Sequence, residues 1–328
     1  MRIGIVTPAP PRSLHGNRVT ADRWSRILRE LGHRVSVREE YDGEDWDLFV
    51  ALHARRSAPS VVRFHRRYSD RPIFVALTGT DLYIDLPRGS HKVMKSLELA
   101  TRLITLQPLA ADALPRPYRA KVRVVYQSLA VPTASRGSTP SRAIAARTNH
   151  AHFDVFVVGH LRAIKDPFRT AMAARTLPAD SRIRVEHYGR ALSDAMRQRA
   201  ERESRRNERY RWHGEVPHGQ LMRALGRRAA LLVHSSKFEG GPHAISEAIV
   251  AGVPVLATDI PGSTGLLGGD YPGLFPVGDT KTLQDLLIRA EGDTRFYGSL
   301  RRACRQVAKH FRPDRELRCW RDLLAEVA

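Results

Sequence analysis

Two glutamates beside a glycine-rich turn have the spacing to bind a sugar or a nucleotide. Glu239 comes directly before Gly240-Gly-Pro242, and Glu247 lies inside the helix that the following residues predict. The start of a helix offers free backbone N–H groups and a partial positive charge, which suit phosphate or sugar oxygens. Carboxylates are poor phosphate ligands, but they accept hydrogen bonds from hydroxyl groups such as those of ribose or hexose. Glu247 also shares a helix face with His243, four residues earlier.

The residues around this turn predict a strand, a helix and a second strand. Leu231-Leu-Val-His234 is a short apolar run typical of a buried parallel strand. Pro242 suits the first helical position, Gly252 ends the helix, and Val253-Pro-Val-Leu-Ala257 starts the next strand. The sequence therefore predicts a glycine-rich turn at a helix N-terminus between two strands.

A second candidate loop follows the predicted strand Phe153–Val158. It contains Arg162 and Lys165, two cations three residues apart, which suit a diphosphate. Asp166 is expected to cap the helix that follows, with Pro167 in its first turn. The alternative is a solvated basic loop.

Three other segments follow predicted strands and are weaker candidates. The loop Thr7–Arg18 carries a glycine, a histidine, hydroxyl groups and two arginines, and it lies where open α/β sheets bind ligands. Thr78-Gly-Thr-Asp81 could bind an anion or a sugar, or it could be a structural turn. His187-Tyr-Gly189 and His213-Gly-Glu-Val216 are candidates for contacts with a nucleotide base.

The order of predicted elements indicates an α/β protein with two similar halves. Strands and helices alternate in both halves, which implies parallel sheets covered on both faces. Residues 1–131 form the predicted first domain, and residues 132–150, rich in Ser, Thr, Pro, Arg and Ala, form a linker. Residues 151–312 form the predicted second domain. Residues 313–328 form a last helix, with Asp314 as its expected cap.

Composition excludes some classes of protein and leaves others open. The 328 residues are 42% apolar, yet no run approaches the roughly 20 residues needed to span a bilayer. The first residues predict a strand rather than a signal peptide, and Cys304 and Cys319 are expected to be free thiols in a reducing compartment, which favours the cytoplasm. The net charge of +20 could favour binding to nucleic acid, or it could attract small anionic substrates.

Several catalytic motifs are absent from the sequence. It has no HExxH or CxxC metal motif, no G-x-S-x-G elbow of serine hydrolases, and no G-x-G-x-x-G dinucleotide motif in the first loop. We therefore expect no metal, no cofactor and no nicotinamide site.

The spacing Glu239-x7-Glu247, followed by Ala248-x3-Gly252-x-Pro254-Val255, resembles the signature of family-4-like retaining glycosyltransferases. The resemblance implies the GT-B architecture, in which two Rossmann-like domains with parallel sheets face a central cleft. It implies that the helix 313–328 returns to the first domain. It also implies a nucleotide-sugar donor, most commonly a UDP-sugar, that is held without a metal.

The same resemblance implies roles for individual residues. Glu247 would hold the ribose hydroxyls, and Arg162 and Lys165 the diphosphate. Glu239 and the backbone of Gly240–His243 would hold the donor sugar and its phosphate. The implied donor-binding set is Gly16, Arg162, Lys165, Gly189, Val216, Glu239, Gly240, Gly241, Pro242, His243 and Glu247. The implied catalytic set is His15, Arg162, Lys165 and Glu239.

The N-terminal half resembles a narrower family, the selenosugar synthases of the selenoneine pathway. The matching segments are Arg2-Ile-Gly-Ile-Val-Thr-Pro-Ala-Pro10, Gly16-Asn-Arg-Val-Thr-Ala-Asp-Arg-Trp24 and Thr78-Gly-Thr-Asp81-Leu-Tyr83. This resemblance implies transfer of the sugar of UDP-N-acetylglucosamine or UDP-glucose to the selenium of selenophosphate, with release of UDP. Loss of phosphate then leaves a selenosugar. The expected acceptor-binding residues are Arg12, Ser13, His15, Asn17, Thr78, Thr80, Arg88 and Lys92.

Two alternatives stay open at this point. The first is a GT-B glycosyltransferase that acts on an alcohol acceptor, a glycan or a lipid. The second is a basic nucleic-acid-binding protein, which would show salt-sensitive affinity for DNA or RNA. The preferred interpretation expects small-molecule substrates as partners, with no nucleic acid and no stable membrane association, and the patterns specify no oligomeric state.

Overall fold

The computed structural model describes residues 1–13, 16–129 and 151–327, which form two compact units. The first unit contains Met1–Ser128, Glu239–Gly241 and the residues from Arg312 onward, and the second contains Leu129–Phe238 and Pro242–Phe311. The predicted linker, residues 132–150, lies outside the described residues.

The first unit is built on a sheet of six parallel strands in the order β2-β1-β3-β4-β5-β6. The strands are β1 (Arg2–Val6), β2 (Arg34–Arg38), β3 (Leu48–Leu52), β4 (Ile73–Ala76), β5 (Arg102–Thr105) and β6 (Val122–Val124). The helices between them are α1 (Gly16–Glu30), α2 (Ala58–Arg67), α3 (His91–Leu99) and α4 (Arg116–Arg119), with a π-helix at Asp81–Asp85 and a 3-10 helix at Pro108–Ala111.

Hydrophobic side chains cover both faces of this sheet. Successive residues of a strand point to opposite faces, so β3 contributes to two separate clusters. Leu48 and Val50 pack in one cluster with Trp24 of α1. Phe49 packs in the other with Phe64 of α2, their rings stacked 5.0 Å apart. Burial on both faces explains why the parallel strands appear in the sequence as continuous apolar runs.

The second unit repeats this organisation with strand order β12-β11-β10-β7-β8-β9, again all parallel. Its strands are β7 (Phe153–Val158), β8 (Ile183–Tyr188), β9 (Tyr210–Gly214), β10 (Leu231–His234), β11 (Val255–Thr258) and β12 (Leu274–Phe275). Its helices are α5 (Arg169–Ala174), α6 (Asp194–Arg206), α7 (His218–Arg228), α8 (His243–Val250), α9 (Pro261–Leu267), α10 (Thr280–Gly292) and α11 (Thr294–Val307), with 3-10 helices at Ala163–Lys165 and Ala308–Phe311. The predicted α/β class with parallel sheets is confirmed.

The last helix, α12 (Pro313–Ala325), belongs to the first unit. Its Trp320 packs edge-to-face against Trp24 of α1, with ring centroids 5.0 Å apart. Glu316 is buried, and its carboxylate accepts hydrogen bonds from Trp24 Nε1 at 3.0 Å and from the Ser128 backbone N and Oγ at 2.8 and 2.6 Å. Burial raises the pKa of Glu316 above its ordinary value, because a buried carboxylate loses its hydration. These bonds attach the end of the chain to α1 and to the segment after β6.

Two of the predicted helix caps are wrong. Asp166 lies at the end of the 3-10 helix in the left-handed conformation, with φ of 43°, and α5 starts only at Arg169. The Asp166 carbonyl accepts a hydrogen bond from Ser235 Oγ at 2.9 Å, and its carboxylate accepts one from Arg169 Nε at 2.8 Å instead of from a backbone N–H at the start of α5. Asp314 lies inside the first turn of α12, which starts after Arg312.

No helix among the described residues is both long enough and apolar enough to cross a bilayer. Cys304 is buried and Cys319 is partly buried, and both are free thiols, as predicted.

We expect Glu316→Ala to lower the free energy of unfolding by about 2–4 kcal/mol, because it leaves the buried donors of Trp24 and Ser128 without an acceptor. Urea unfolding followed by tryptophan fluorescence measures the change. Asp314→Asn is the matched control on the same helix, since the ion pairs of Asp314 with Arg312 and Arg318 are exposed and should contribute little. Equal midpoint shifts in the two variants would contradict the assigned role of Glu316.

Candidate functional site

The predicted donor-binding residues of the second unit follow the carboxyl ends of its strands. The loop that carries Arg162 and Lys165 follows β7, Gly189 follows β8, and Val216 lies two residues after β9. The segment that leads into α8 follows β10. Because parallel strands end at one edge of a sheet, these loops lie along the edge at which open α/β sheets bind ligands.

A crevice between the ends of β7 and β10 places Lys165 beside two serines. Its walls are formed by Val157, Val158, Gly159, Lys165, Pro167, His187, Val233, His234, Ser235 and Ser236. The Ser235 hydroxyl lies 2.9 Å from the Asp166 carbonyl oxygen and 3.2 Å from that of Lys165, to which it donates. The Lys237 backbone N–H donates to the Ile164 carbonyl at 2.8 Å. These bonds hold the 3-10 helix against the segment after β10. A lysine cation that lines such a crevice suits a phosphate.

Arg162 and Lys165 differ in their surroundings. Arg162 precedes the 3-10 helix and is exposed, whereas Lys165 is its last residue and is partly buried. Of the two cations predicted to hold the diphosphate, Lys165 therefore lines the crevice and Arg162 lies on the surface.

A buried histidine supports the wall of this crevice. The Nε2 atom of His187 lies 3.2 Å from the Gly159 carbonyl oxygen, and Nδ1 lies 2.9 Å from the Tyr210 hydroxyl. A carbonyl only accepts, so Nε2 carries the hydrogen and Tyr210 donates to Nδ1. Burial lowers the pKa of His187 to about 4, so the ring is neutral near pH 7.

Gly189 crosses the Gly159 loop at close range. Its φ is 151°, and a Cβ atom added to it would lie 2.0 Å from the Gly159 carbonyl oxygen. No larger residue fits at this position without movement of the backbone. Gly189 therefore sets how closely the loops after β7 and β8 approach each other.

Glu247 lies in the second turn of α8, with only 10% of its side chain exposed. The Nε2 atom of His218, the first residue of α7, lies 2.8 Å from its Oε1 atom. A carboxylate only accepts, so the imidazole donates. Pro242 is the residue directly before α8 and His243 is the first helical residue, one position later than predicted.

The loop that carries Val216 follows a hydrogen-bonded pair of side chains, His213 and Glu186. His213 Nε2 makes a hydrogen bond with the Glu186 carboxylate, and the His213 ring stacks on Tyr188 with centroids 4.5 Å apart. Burial opposes ionisation of Glu186, but the hydrogen bond from His213 and the nearby Arg228 outweigh it and lower its pKa. These contacts give His213 a structural role beneath the loop, where Val216 is partly exposed.

Three residues of the glycine-rich turn, Glu239–Gly241, belong to the first unit, whereas the boundaries predicted from the sequence place the whole turn in the second domain. A Cβ atom on Gly240 would lie 2.6 Å from the carbonyl group of Thr78. A Cβ atom on Gly79, whose φ is 130°, would lie 2.7 Å from the Gly240 nitrogen. The two backbones therefore touch with no room for a side chain on either glycine.

Asp81 organises the Thr78–Thr80 loop. Its buried carboxylate accepts hydrogen bonds from four backbone N–H groups at 2.8–3.1 Å. These groups belong to Ala54, Thr78, Gly79 and Leu82. Its hydrogen-bonding capacity is occupied by the backbone, so Asp81 shapes the loop and is not a ligand for a substrate.

His53 reaches the same loop from the end of β3. His53 is buried, and its backbone adopts the left-handed conformation with φ of 73°. This conformation is strained for a residue that has a side chain. Its Nδ1 accepts from the Arg56 backbone N–H at 3.4 Å, so Nε2 carries the hydrogen and donates to Thr80 Oγ1 at 3.0 Å. Burial lowers the pKa of His53. Because the Thr80 hydroxyl oxygen accepts from the neutral His53 ring, the hydroxyl hydrogen of Thr80 can be donated to another group. A hydroxyl that donates in this way suits an anion.

The remaining predicted acceptor residues are less closely grouped. Arg12, Arg88 and Lys92 are exposed, and Ser13 and Asn17 are partly buried. Gly16, predicted to contact the donor, is the exposed first residue of α1, and His15 lies outside the described residues. Within the described ranges, no hydrogen bond joins Arg88 or Lys92 to the Thr78–Thr80 loop.

Across residues 1–13, 16–129 and 151–327, no group of three or more His, Cys, Asp or Glu side chains is placed to hold a metal ion.

Sequence reasoning missed three features of the site. His53 and His218 carry no local signal, because their partners Thr80 and Glu247 are 27 and 29 residues away. Ser235 and Ser236 could have been found, since they directly follow the predicted strand Leu231–His234 and so lie at its carboxyl end.

We expect His187 to reduce stability as the pH falls from about 6.5 to about 4. The unfolded chain binds a proton on this ring near 6.5, but the folded protein binds it only near 4. Between these values the unfolded state binds more protons, so stability rises with pH. His187→Gln removes this titration, and the difference in unfolding free energy between the two proteins should change by about 3 kcal/mol across this range. Urea unfolding at several pH values measures it, and parallel profiles would contradict the buried neutral ring.

Comparison with known proteins identifies relatives of the chain. The family model for "Glycosyl transferases group 1" matches residues 144–311. "Glycosyltransferase 1 domain-containing protein 1" of Xenopus tropicalis is 26% identical over 283 residues, which cover 80% of this chain and 81% of that protein.

Solved structures with the same fold cover nearly the whole chain. HepE of Anabaena in complex with UDP has a TM-score of 0.74 at 15% identity, with 99% of both chains covered. Its complex with UDP-glucose has a TM-score of 0.72 at 17% identity, covering 99% of this chain and 100% of that one. Sucrose-phosphate synthase of Thermosynechococcus elongatus has a TM-score of 0.77 at 16% identity, with 99% of both chains covered. The predicted GT-B fold class is thereby confirmed. Because the family model matches just over half of the sequence, the chain belongs to the glycosyl transferases group 1 family.

Proposed function

We propose that this glycosyltransferase transfers the sugar of a UDP-sugar, UDP-N-acetylglucosamine or UDP-glucose, to selenophosphate. The observation that carries the donor half is the carboxyl edge of the second sheet. There, Lys165 lies beside Ser235 and Ser236 in one crevice, and the buried carboxylate of Glu247 lies in the helix that follows β10. A lysine cation suits a diphosphate, and a buried carboxylate suits the ribose hydroxyls.

The choice of uracil as the base of the donor nucleotide is supported by a structural neighbour. HepE, which shares this fold, has been solved with UDP and with UDP-glucose. Gly189 and Val216, at the ends of β8 and β9, are the proposed contacts to the base, and Glu239 with the backbone of Gly240–His243 is proposed to hold the sugar and its phosphate.

The proposed reaction has two steps, transfer of the sugar to selenium and then hydrolysis of the selenium–phosphorus bond. A selenium electron pair of selenophosphate attacks the anomeric carbon, and the pair of the carbon–oxygen bond leaves with UDP. Lys165, Arg162 and the N–H groups at the start of α8 would stabilise the charge that grows on the departing diphosphate. Water then attacks phosphorus, the selenium–phosphorus bond breaks, and selenium keeps its electron pair as the selenosugar while phosphate leaves.

The assignment of selenophosphate as the acceptor rests on charge and on the resemblance of the N-terminal segments to selenosugar synthases. Selenophosphate is already an anion, so no strong general base is needed, whereas an alcohol acceptor would require one. Thr80, which His53 leaves free to donate, and the exposed cations Arg12, Arg88 and Lys92 favour a small anion. The catalytic role of His15 stays a prediction.

We expect Glu247→Ala to weaken UDP binding at least tenfold, about 1.4 kcal/mol, because the ribose hydroxyls lose a charged acceptor. Isothermal titration calorimetry with UDP measures the affinity. Glu208→Ala, which removes an exposed carboxylate of the same unit, is the control. Unaltered UDP affinity in Glu247→Ala would refute the ribose role.

We expect purified protein with UDP-N-acetylglucosamine or UDP-glucose and fresh selenophosphate to form UDP and a product with the selenium isotope pattern in mass spectrometry. Arg12→Ala and Lys92→Ala should raise the KM for selenophosphate, because each removes a cation from the acceptor side. Lys281→Ala, an exposed lysine paired with Asp285 in the second unit, is the control. Release of UDP without a selenium-containing product would contradict selenophosphate as the acceptor. Absence of turnover with both UDP-sugars would contradict the proposed donor.

A further inference from the structure

We infer that His218 is a positioning residue, which orients the Glu247 carboxylate so that it can accept both hydroxyls of the donor ribose. The inference rests on the proposed function, since it takes Glu247 as the ribose ligand. It adds a residue from a different helix, α7, to the donor site.

The geometry of the carboxylate carries the inference. Among the described residues, His218 is the one whose side chain hydrogen-bonds the Glu247 carboxylate, through Nε2 to Oε1 at 2.8 Å. An ionised carboxylate has about four acceptor positions on its two oxygens. One imidazole donor occupies one of them, which leaves acceptor positions on both oxygens. A pair of neighbouring hydroxyls, as in ribose, can use both oxygens at once.

A glutamate needs such a partner because its side chain has several rotatable bonds. Fixing it only when the ligand binds costs affinity, whereas a side chain already held in position avoids that cost. The hydrogen bond from His218 holds the carboxylate from the side of α7, while α8 holds its backbone.

His218 is delivered from a well-anchored helix start. Pro217 directly precedes α7, and its carbonyl oxygen accepts from the Gln220 and Leu221 backbone N–H groups at 2.8 and 3.0 Å. Leu221 is buried beneath this turn. The imidazole itself is 59% exposed, so its removal takes away little packing and should leave the fold intact.

The test uses two nucleotides that differ only in the ribose hydroxyls. Calorimetry measures the affinity of wild type, His218→Ala and His218→Gln for UDP and for 2′,3′-dideoxy-UDP. We expect His218→Ala to weaken UDP binding about three- to tenfold and to leave dideoxy-UDP binding unchanged. His218→Gln should recover part of the loss, because its amide can donate to the same oxygen. Gln220→Ala, exposed on the same helix turn, is the matched control.

Two results would overturn the inference. Unchanged or tighter UDP binding by His218→Ala would mean that the imidazole is idle or occupies the place of the ribose. An equal loss for both nucleotides would mean that the residue acts on the fold and not on the diol.

The failure of the inference is distinguishable from failure of the proposed function. If wild type does not prefer UDP over dideoxy-UDP, or Glu247→Ala keeps that preference, the ribose role of Glu247 fails and the inference falls with it. If Glu247→Ala abolishes the preference but His218→Ala retains it in full, only the inference fails. In the Glu247→Ala background, His218→Ala should have no further effect on UDP binding, and a further loss there would also overturn the inference.

Discussion

The hydrogen bonds that join neighbouring loops at the carboxyl edge of the second sheet are the constraint on which the candidate site depends. Ser235 donates to the carbonyls of Lys165 and Asp166, and His187 donates to the carbonyl of Gly159. Each bond pairs a backbone carbonyl of a partly buried loop with a side-chain donor from a neighbouring segment. The same bonds hold Lys165 at the crevice that Ser235 and Ser236 also line, so the loop contacts fix the shape of the proposed diphosphate site.

Buried carboxylates show which acidic groups are available for a ligand. Asp81 accepts from four backbone N–H groups, and Glu316 accepts from Trp24 and Ser128. Both are occupied by the protein itself and serve to join segments of the chain. Glu247 is almost as buried, but among the described residues it receives one side-chain hydrogen bond, from His218. The proposed function uses this remaining acceptor capacity of Glu247 for the ribose hydroxyls.

Strands and helices could be predicted well, and the contacts of side chains could not. Phe153–Val158 and Leu231–His234 occur as strands with the predicted bounds, because buried parallel strands are continuous apolar runs. The cap assigned to Asp166 was wrong, because a hydrogen bond from Ser235, far along the chain, holds that loop in another conformation. Local propensity cannot include a partner that arrives only when the chain folds.

The sequence by itself determined the fold class, the family signature around Glu239 and Glu247, and the loops at which ligands could bind, because apolar periodicity and glycine or proline positions act over a few residues. Only the tertiary structure decided which side chains meet. It brings His218 to Glu247, His53 to Thr80, and the backbones of Gly79 and Gly240 into contact. These pairs are far apart in sequence, and the packing of whole helices and strands sets their distances.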